Sequence, residues 1–90
     1  AYDDVFTALA HEARRQILIT LHFESDEMTA GEIASMFAHA WPTTTRHLQV
    51  LEAAGLIAHE KRGRERVYRL VPKRLELARD FLTWFSRRPW

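Results

Sequence analysis

The stretch from Pro42 to Gly55 constrains the fold more than any other part of the chain. Proline suits the first turn of a helix, where its missing N–H would have had no partner, and a glycine just past the last periodic residue suits a left-handed helix end. Between them Leu48, Leu51 and the small Ala54 recur at helical spacing, with Thr44 turned the same way and Val50 partly covered. The opposite side carries Thr45, Arg46 and Gln49, and Trp41 and Thr43 project from the first turn. Such a helix has to sit on a core with one face and offer hydroxyls, an amide and a guanidinium with the other.

The remaining residues can supply that core. At 90 residues, with 47% apolar and 28% charged side chains, the chain has the composition of one small ordered domain, taken as residues 1–90. Val5, Phe6 and Leu9 predict a short helix over Asp3–Leu9, and Ala13, Ile17, Leu18 and Leu21 predict a half-buried one from about Glu12 to Phe23. The acidic Glu24–Glu27 reads as a polar connector. Thr29 stands three residues before Glu32, a capping-box spacing, and Ile33, Ala34 and Phe37 give the third helix its buried stripe. His39, Ala40 and Trp41 are expected to form the turn into the Pro42 helix.

Beyond Gly55, Leu56 to Arg62 and Arg64 to Val71 read as two strands around Gly63. Tyr68 and Leu70 fall on one face, Val67, Arg69 and Val71 on the other, and Pro72 stops the second strand. Lys61, Arg62, Arg64 and Arg66 gather four cations around one glycine; Glu60 and Glu65 dilute them, and one of the arginines is expected to pair with these carboxylates. From Lys73 to about Ser86 a last helix is apolar around most of its circumference. That is more than one side of a small domain can cover, so part of it should meet another chain. The fold class is therefore mainly α with a two-stranded β wing, a winged helix-turn-helix.

Charge is divided along this order. Residues 1–39 hold seven acidic against two basic side chains, a net of −5, whereas residues 40–71 and 72–90 each carry +3. A positive second half can face a polyanion, and a helix of this width fits the major groove of DNA while cations on a neighbouring hairpin hold phosphates. The candidate DNA-contacting set is Trp41, Thr43, Thr45, Arg46, His47, Gln49, Lys61, Arg62, Arg64 and Arg66. Trp41 has packing under the turn as its alternative, and His47 has covering the core edge. Arg46 has no carboxylate four residues before or after it to form a helix ion pair.

The absence of cysteine removes disulfides, thiolate metal sites and cysteine nucleophiles, and is compatible with a reducing cytoplasm. No apolar run approaches the roughly 18 residues needed to span a bilayer, and the acidic opening is unlike a signal peptide, so the expectation is a cytoplasmic protein with no membrane partner. No two of the five histidines stand four apart on a helix, which argues against a metal site. There is no phosphate-binding loop and no nucleophile with an evident base, so the chain is expected to be neither an enzyme nor a holder of a cofactor.

Four segments together resemble the ArsR-type winged-helix transcriptional regulators: residues 9–18 (LAHEARRQIL), 32–34 (EIA), 45–57 (TRHLQVLEAAGLI) and 63–70 (GRERVYRL). The resemblance runs over nearly the whole chain and implies a homodimer built from the first and last helices, repressing transcription by occluding a promoter at an imperfect palindrome in double-stranded DNA. The apolar residues that fit such an interface are Tyr2, Val5, Phe6, Leu77, Phe81, Trp84 and Phe85. Two departures matter. Ala40 stands where many relatives carry a capping serine. Met28-Thr29-Ala30-Gly31 and a last helix without histidine replace the residues with which metal-sensing relatives bind metal, so no metal site carries over and the effector is left open. The alternatives are a winged helix that contacts proteins, and a ligand- or metal-responsive switch with a nonstandard site, whose pocket the stripe Leu77, Phe81, Trp84 and Phe85 could line.

Overall fold

The structure, a computed structural model, describes residues 2–38 and 40–86 and, at Tyr2, the backbone alone. The order is α1 (Tyr2–Leu9), α2 (Glu12–Phe23), β1 (Met28–Thr29), α3 (Ala30–Ala34), α4 (Trp41–Ala53), β2 (Ile57–Arg62), β3 (Glu65–Leu70), a 3-10 turn (Pro72–Arg74) and α5 (Leu75–Trp84). His39 lies outside the described residues. Among those residues no helix is long and apolar enough to cross a membrane.

The sheet differs from the expected two-stranded wing. It has three antiparallel strands in the order β1-β3-β2, because Met28 and Thr29 leave the connector to pair with Tyr68 and Val67. Two residues are too few for any alternating pattern to reveal. The pairing still has a physical consequence, since it ties the start of α3 to the base of the wing. Thr29 ends β1 and also caps α3: its hydroxyl accepts from the Glu32 N–H at 3.1 Å while the Glu32 carboxylate accepts from the Thr29 N–H at 2.8 Å. The third helix is shorter than its apolar stripe predicts, ending at Ala34, and Phe37 is half-buried beyond it.

One core draws on every layer. Val5 and Ala8 of α1, Ile17 and Leu21 of α2, Ile33 of α3, Leu48 and Leu51 of α4, Ile57 of β2, Tyr68 of β3 and Ala78 of α5 are all buried in it. Val5 is thereby corrected: expected at a dimer interface, it is fully buried within the chain's own core. Gly55 ends α4 with φ +76, as its position predicts, and a Cβ there would also lie 2.5 Å from Cδ of Arg74. The two strands of the hairpin meet at Gly63, φ +64.

Truncating a fully enclosed side chain removes contacts that the surroundings cannot replace. Leu51→Ala is expected to lower unfolding free energy by about 2–5 kcal/mol in urea denaturation. Phe23→Ala, at a ring 76% exposed, should stay within about 0.5 kcal/mol of the parent.

Candidate nucleic-acid interface

α4 starts one residue earlier than expected, with Trp41 as its first residue and Ala40 as N-cap. No side chain caps it; the Ala40 carbonyl instead accepts from the Thr43 and Thr44 N–H groups at 3.0 and 3.3 Å. Thr44, His47, Leu48 and Leu51 are buried beneath the helix, and Trp41, Thr43, Arg46 and Gln49 are exposed above it. Thr45 is half-buried on the side that faces the wing.

His47 is therefore placed with the core. It is 5% exposed, its Nδ1 lies 3.2 Å from a terminal nitrogen of Arg14, and its ring packs on that of His11 with centroids 4.4 Å apart. The ring is thus beneath α4 and not among the side chains exposed above it.

The wing sorts its cations by strand alternation. β2 and β3 pair so that Lys61 faces Arg66, Arg62 faces Glu65 and Glu60 faces Val67. Lys61 and Arg66 consequently share the sheet face that carries Tyr68, while Glu60, Arg62 and Val67 share the other. On the first face a cleft of about 400 Å³ opens between α4 and the wing, lined by Trp41 and Thr45 on one side and Arg64, Arg66 and Tyr68 on the other. Val67, expected on the face opposite Tyr68, is there and is only 8% exposed. In the sheet it lies between Glu60 and Thr29, and the ion pair of Arg62 reaches Glu27, just before β1.

That ion pair removes Arg62 from the free cations. Its two terminal nitrogens donate to the Glu27 carboxylate at 2.8 and 2.6 Å, and it also donates to Glu60. The hydrogen bond from Arg62 holds the Glu27 carboxyl below the usual carboxylate range, and the two carboxylates raise the Arg62 guanidinium further above its already high value. The expected pairing with Glu60 is present, while Glu27, 35 residues away in sequence, carries no local signal. Among the described residues Arg46, Lys61, Arg64 and Arg66 form no ion pair with a carboxylate. A second tie that sequence does not signal joins α4 to β2: the Glu52 carboxylate lies 2.8 Å from Nδ1 of His59.

The expected interface residues of the terminal helices divide. Phe6 and Leu77 are half-buried, whereas Phe81, Trp84 and Phe85 are 40%, 72% and 64% exposed. Phe6 meets Phe81 edge to face at 5.4 Å, and Phe81 meets Phe85 the same way at 5.2 Å. The Tyr2 side chain lies outside the described residues. Among those residues no cluster of three or more metal-ligating side chains occurs.

A helix-turn-helix whose second helix turns a polar face outward beside a basic hairpin defines a winged helix-turn-helix DNA-binding regulator. Known proteins agree. A helix-turn-helix domain family matches residues 9–60. The transcriptional repressor SdpR of Bacillus subtilis is 33% identical over 82 residues, 91% of this chain and 86% of that repressor. The HTH-type transcriptional repressor SmtB of Mycobacterium tuberculosis is 32% identical over 75 residues, 83% of this chain, which spans about half (54%) of that repressor's length. An ArsR-like transcriptional regulator from Rhodococcus sp. RHA1 has the same fold, with TM-score 0.81 at 30% identity over 93% of this chain and 75% of that one. The chain belongs to the ArsR/SmtB family of winged helix-turn-helix transcriptional regulators.

Because Glu27 titrates lower when folded than when unfolded, the stability it contributes is complete above the unfolded value and is lost as pH falls through the folded one. A carboxyl-carbon NMR titration should place Glu27 below ordinary glutamates. Arg62→Gln should return it to the ordinary range; an unchanged midpoint in that variant contradicts the pairing.

Proposed function

We propose that the chain, folded as one domain over residues 1–90, acts in the cytoplasm as a homodimer, built through α1 and α5, that binds an imperfect palindrome in double-stranded DNA and represses transcription by occluding a promoter. The observation that carries the DNA-binding part is the placement of Arg46 on the exposed face of α4, next to Thr45, which lines the cleft opposite Arg64 and Arg66, with none of the three arginines in an ion pair among the described residues. Guanidinium reaches two acceptors on a guanine edge, and cations on the hairpin are placed for phosphates. Thr43, Thr45 and Gln49 add hydroxyl and amide groups along the same helix, Trp41 flanks the cleft, and Lys61 shares the wing face of Arg66. Arg62 is a structural strut in this reading rather than a phosphate ligand.

The dimer is supported by the apolar surface that α5 leaves uncovered. Phe81, Leu82, Trp84 and Phe85 are each at least 40% exposed on a short terminal helix, and a contiguous apolar patch of this kind is a feature of association surfaces. Phe6 and Leu77 border it. Two-fold symmetry then presents two copies of α4 about 34–36 Å apart, the repeat of the major groove on one side of the duplex.

The two kinds of DNA contact have separable signatures. Arg46→Ala should lose discrimination among sequences by about 1–3 kcal/mol. Arg64→Ala should weaken all duplexes alike and reduce the slope of log affinity against log salt by about 1. Titrations of fluorescent duplexes over a salt series measure both, and parent-like behaviour of both variants contradicts this placement of the DNA face. Replacing Phe81 and Phe85 together by serine should halve the sedimenting mass while helical circular dichroism persists; an unchanged dimer contradicts the assignment of α5.

A further inference from the structure

Arg14, on α2, joins α1 to α4. Its Nε donates to the Ala8 carbonyl at 2.9 Å and one terminal nitrogen donates to the Thr7 carbonyl at 3.0 Å. Both carbonyls belong to the last turn of α1, whose end leaves carbonyls short of helical N–H donors; the Thr7 carbonyl also accepts from the Ala10 N–H at 3.2 Å. The other terminal nitrogen lies 3.2 Å from Nδ1 of His47, beneath α4. A guanidinium only donates, so Nδ1 accepts and the neutral ring carries its proton on Nε2. His11 reinforces the junction, since its Nδ1 accepts from the Ala13 N–H to cap α2 while its ring packs on His47. Three acceptors on two helices, held by one planar fork, fix distance and angle together; a lysine offers a single point of attachment.

The two helices joined in this way have different tasks. α1 packs through Phe6 on Phe81 of α5, which in turn packs on Phe85 at the end of the same helix, so aromatic packing joins α1 to α5. α4 carries Arg46 next to His47 in sequence, on its exposed face. A contiguous set of contacts therefore runs from the apolar surface of α5 through α1 and Arg14 to the helix that meets DNA.

We propose that Arg14 is a positioning residue that fixes α4 against α1 and thereby sets the half-site spacing the dimer accepts. The inference rests on the dimeric DNA-binding reading given above. In a two-fold dimer any shift of α4 relative to α1 occurs in both subunits, so an error in one junction is doubled in the separation of the two recognition helices. Loosening the junction should broaden the range of spacings tolerated more than it weakens binding to any single site.

The test uses duplexes that the parent protein selects from a random library, and the same duplexes with one base pair inserted or deleted between half-sites, a displacement of about 3.4 Å. The readout is the ratio of affinities for selected and shifted spacing, with dimer mass followed by sedimentation. Arg14→Met should remain dimeric and lose about tenfold of that ratio, within the usual range of coupling between sites. His47→Phe keeps the α1 carbonyls bonded and removes the α4 acceptor; it should lose a similar factor and carries the same test should Arg14→Met not fold. The double variant should lose no more than the larger single loss, and Arg14→Lys should recover part of it. A general loss of stability would instead lower affinity for all spacings alike. Dimeric variants with an undiminished ratio, or two losses that simply multiply, overturn the inference. A parent that selects no duplex contradicts the DNA-binding reading itself and is thereby told apart.

Discussion

The seating of α4 on the core decides what the rest of the molecule can do. Thr44 and Leu51 are fully enclosed and Leu48 is 3% exposed, so the helix cannot roll without opening the interior. Its polar face is outward because its apolar face is committed. The chain then passes into β2 with only Ala54, Gly55 and Leu56 between the elements, and Leu56 is bonded on both sides: its N–H donates to the Leu51 carbonyl at 3.0 Å and its carbonyl accepts from the Val71 N–H at 2.8 Å. Glu52 and His59 add a side-chain tie across the same corner. The base of the wing is thus held in fixed register with the end of the helix, and the cations of the hairpin inherit that placement.

Charge is distributed with equal economy. Strand alternation sends Lys61 and Arg66 to the face shared with the α4 cleft and sends Arg62 to the opposite face, where Glu27 and Glu60 meet it. These groups are exposed and screened by solvent, so their consequence is geometric more than energetic. The pair links the wing to the segment before β1, and β1 links the wing to α3. Helix-turn-helix and wing are in this way joined at both ends of the sheet. The net effect is a cleft that gathers Arg64 and Arg66, with Glu65 between them in sequence, on one side of the wing and an ion-paired Arg62 on the other.

Local chemistry makes most of the architecture legible in the sequence. Pro42, Gly55 and the spacing of Leu48, Leu51 and Ala54 define α4, and the Thr29–Glu32 spacing marks a capping box that is present. Long-range partners were not readable. β1 is two residues long and exists only because Tyr68 and Val67 are there to pair with it. His47 looked as able to face outward as inward because it sits at the boundary of the helix faces, and its fate is settled by Arg14, 33 residues earlier. Val5 has the same apolar character as Phe6, and only the packing of α1 shows that one is enclosed in the core while the other borders α5. Arg62 was indistinguishable in sequence from the cations around it until Glu27 came alongside.

In the proposed dimer, two copies of α4 enter successive major grooves of one duplex. Hydroxyl-radical footprinting of the parent protein on a duplex selected from a random library addresses it most directly. A two-fold dimer with this geometry predicts two protected patches on the same side of the duplex, their centres about one helical turn apart. A single patch, or no retained duplex at modest ionic strength, contradicts it.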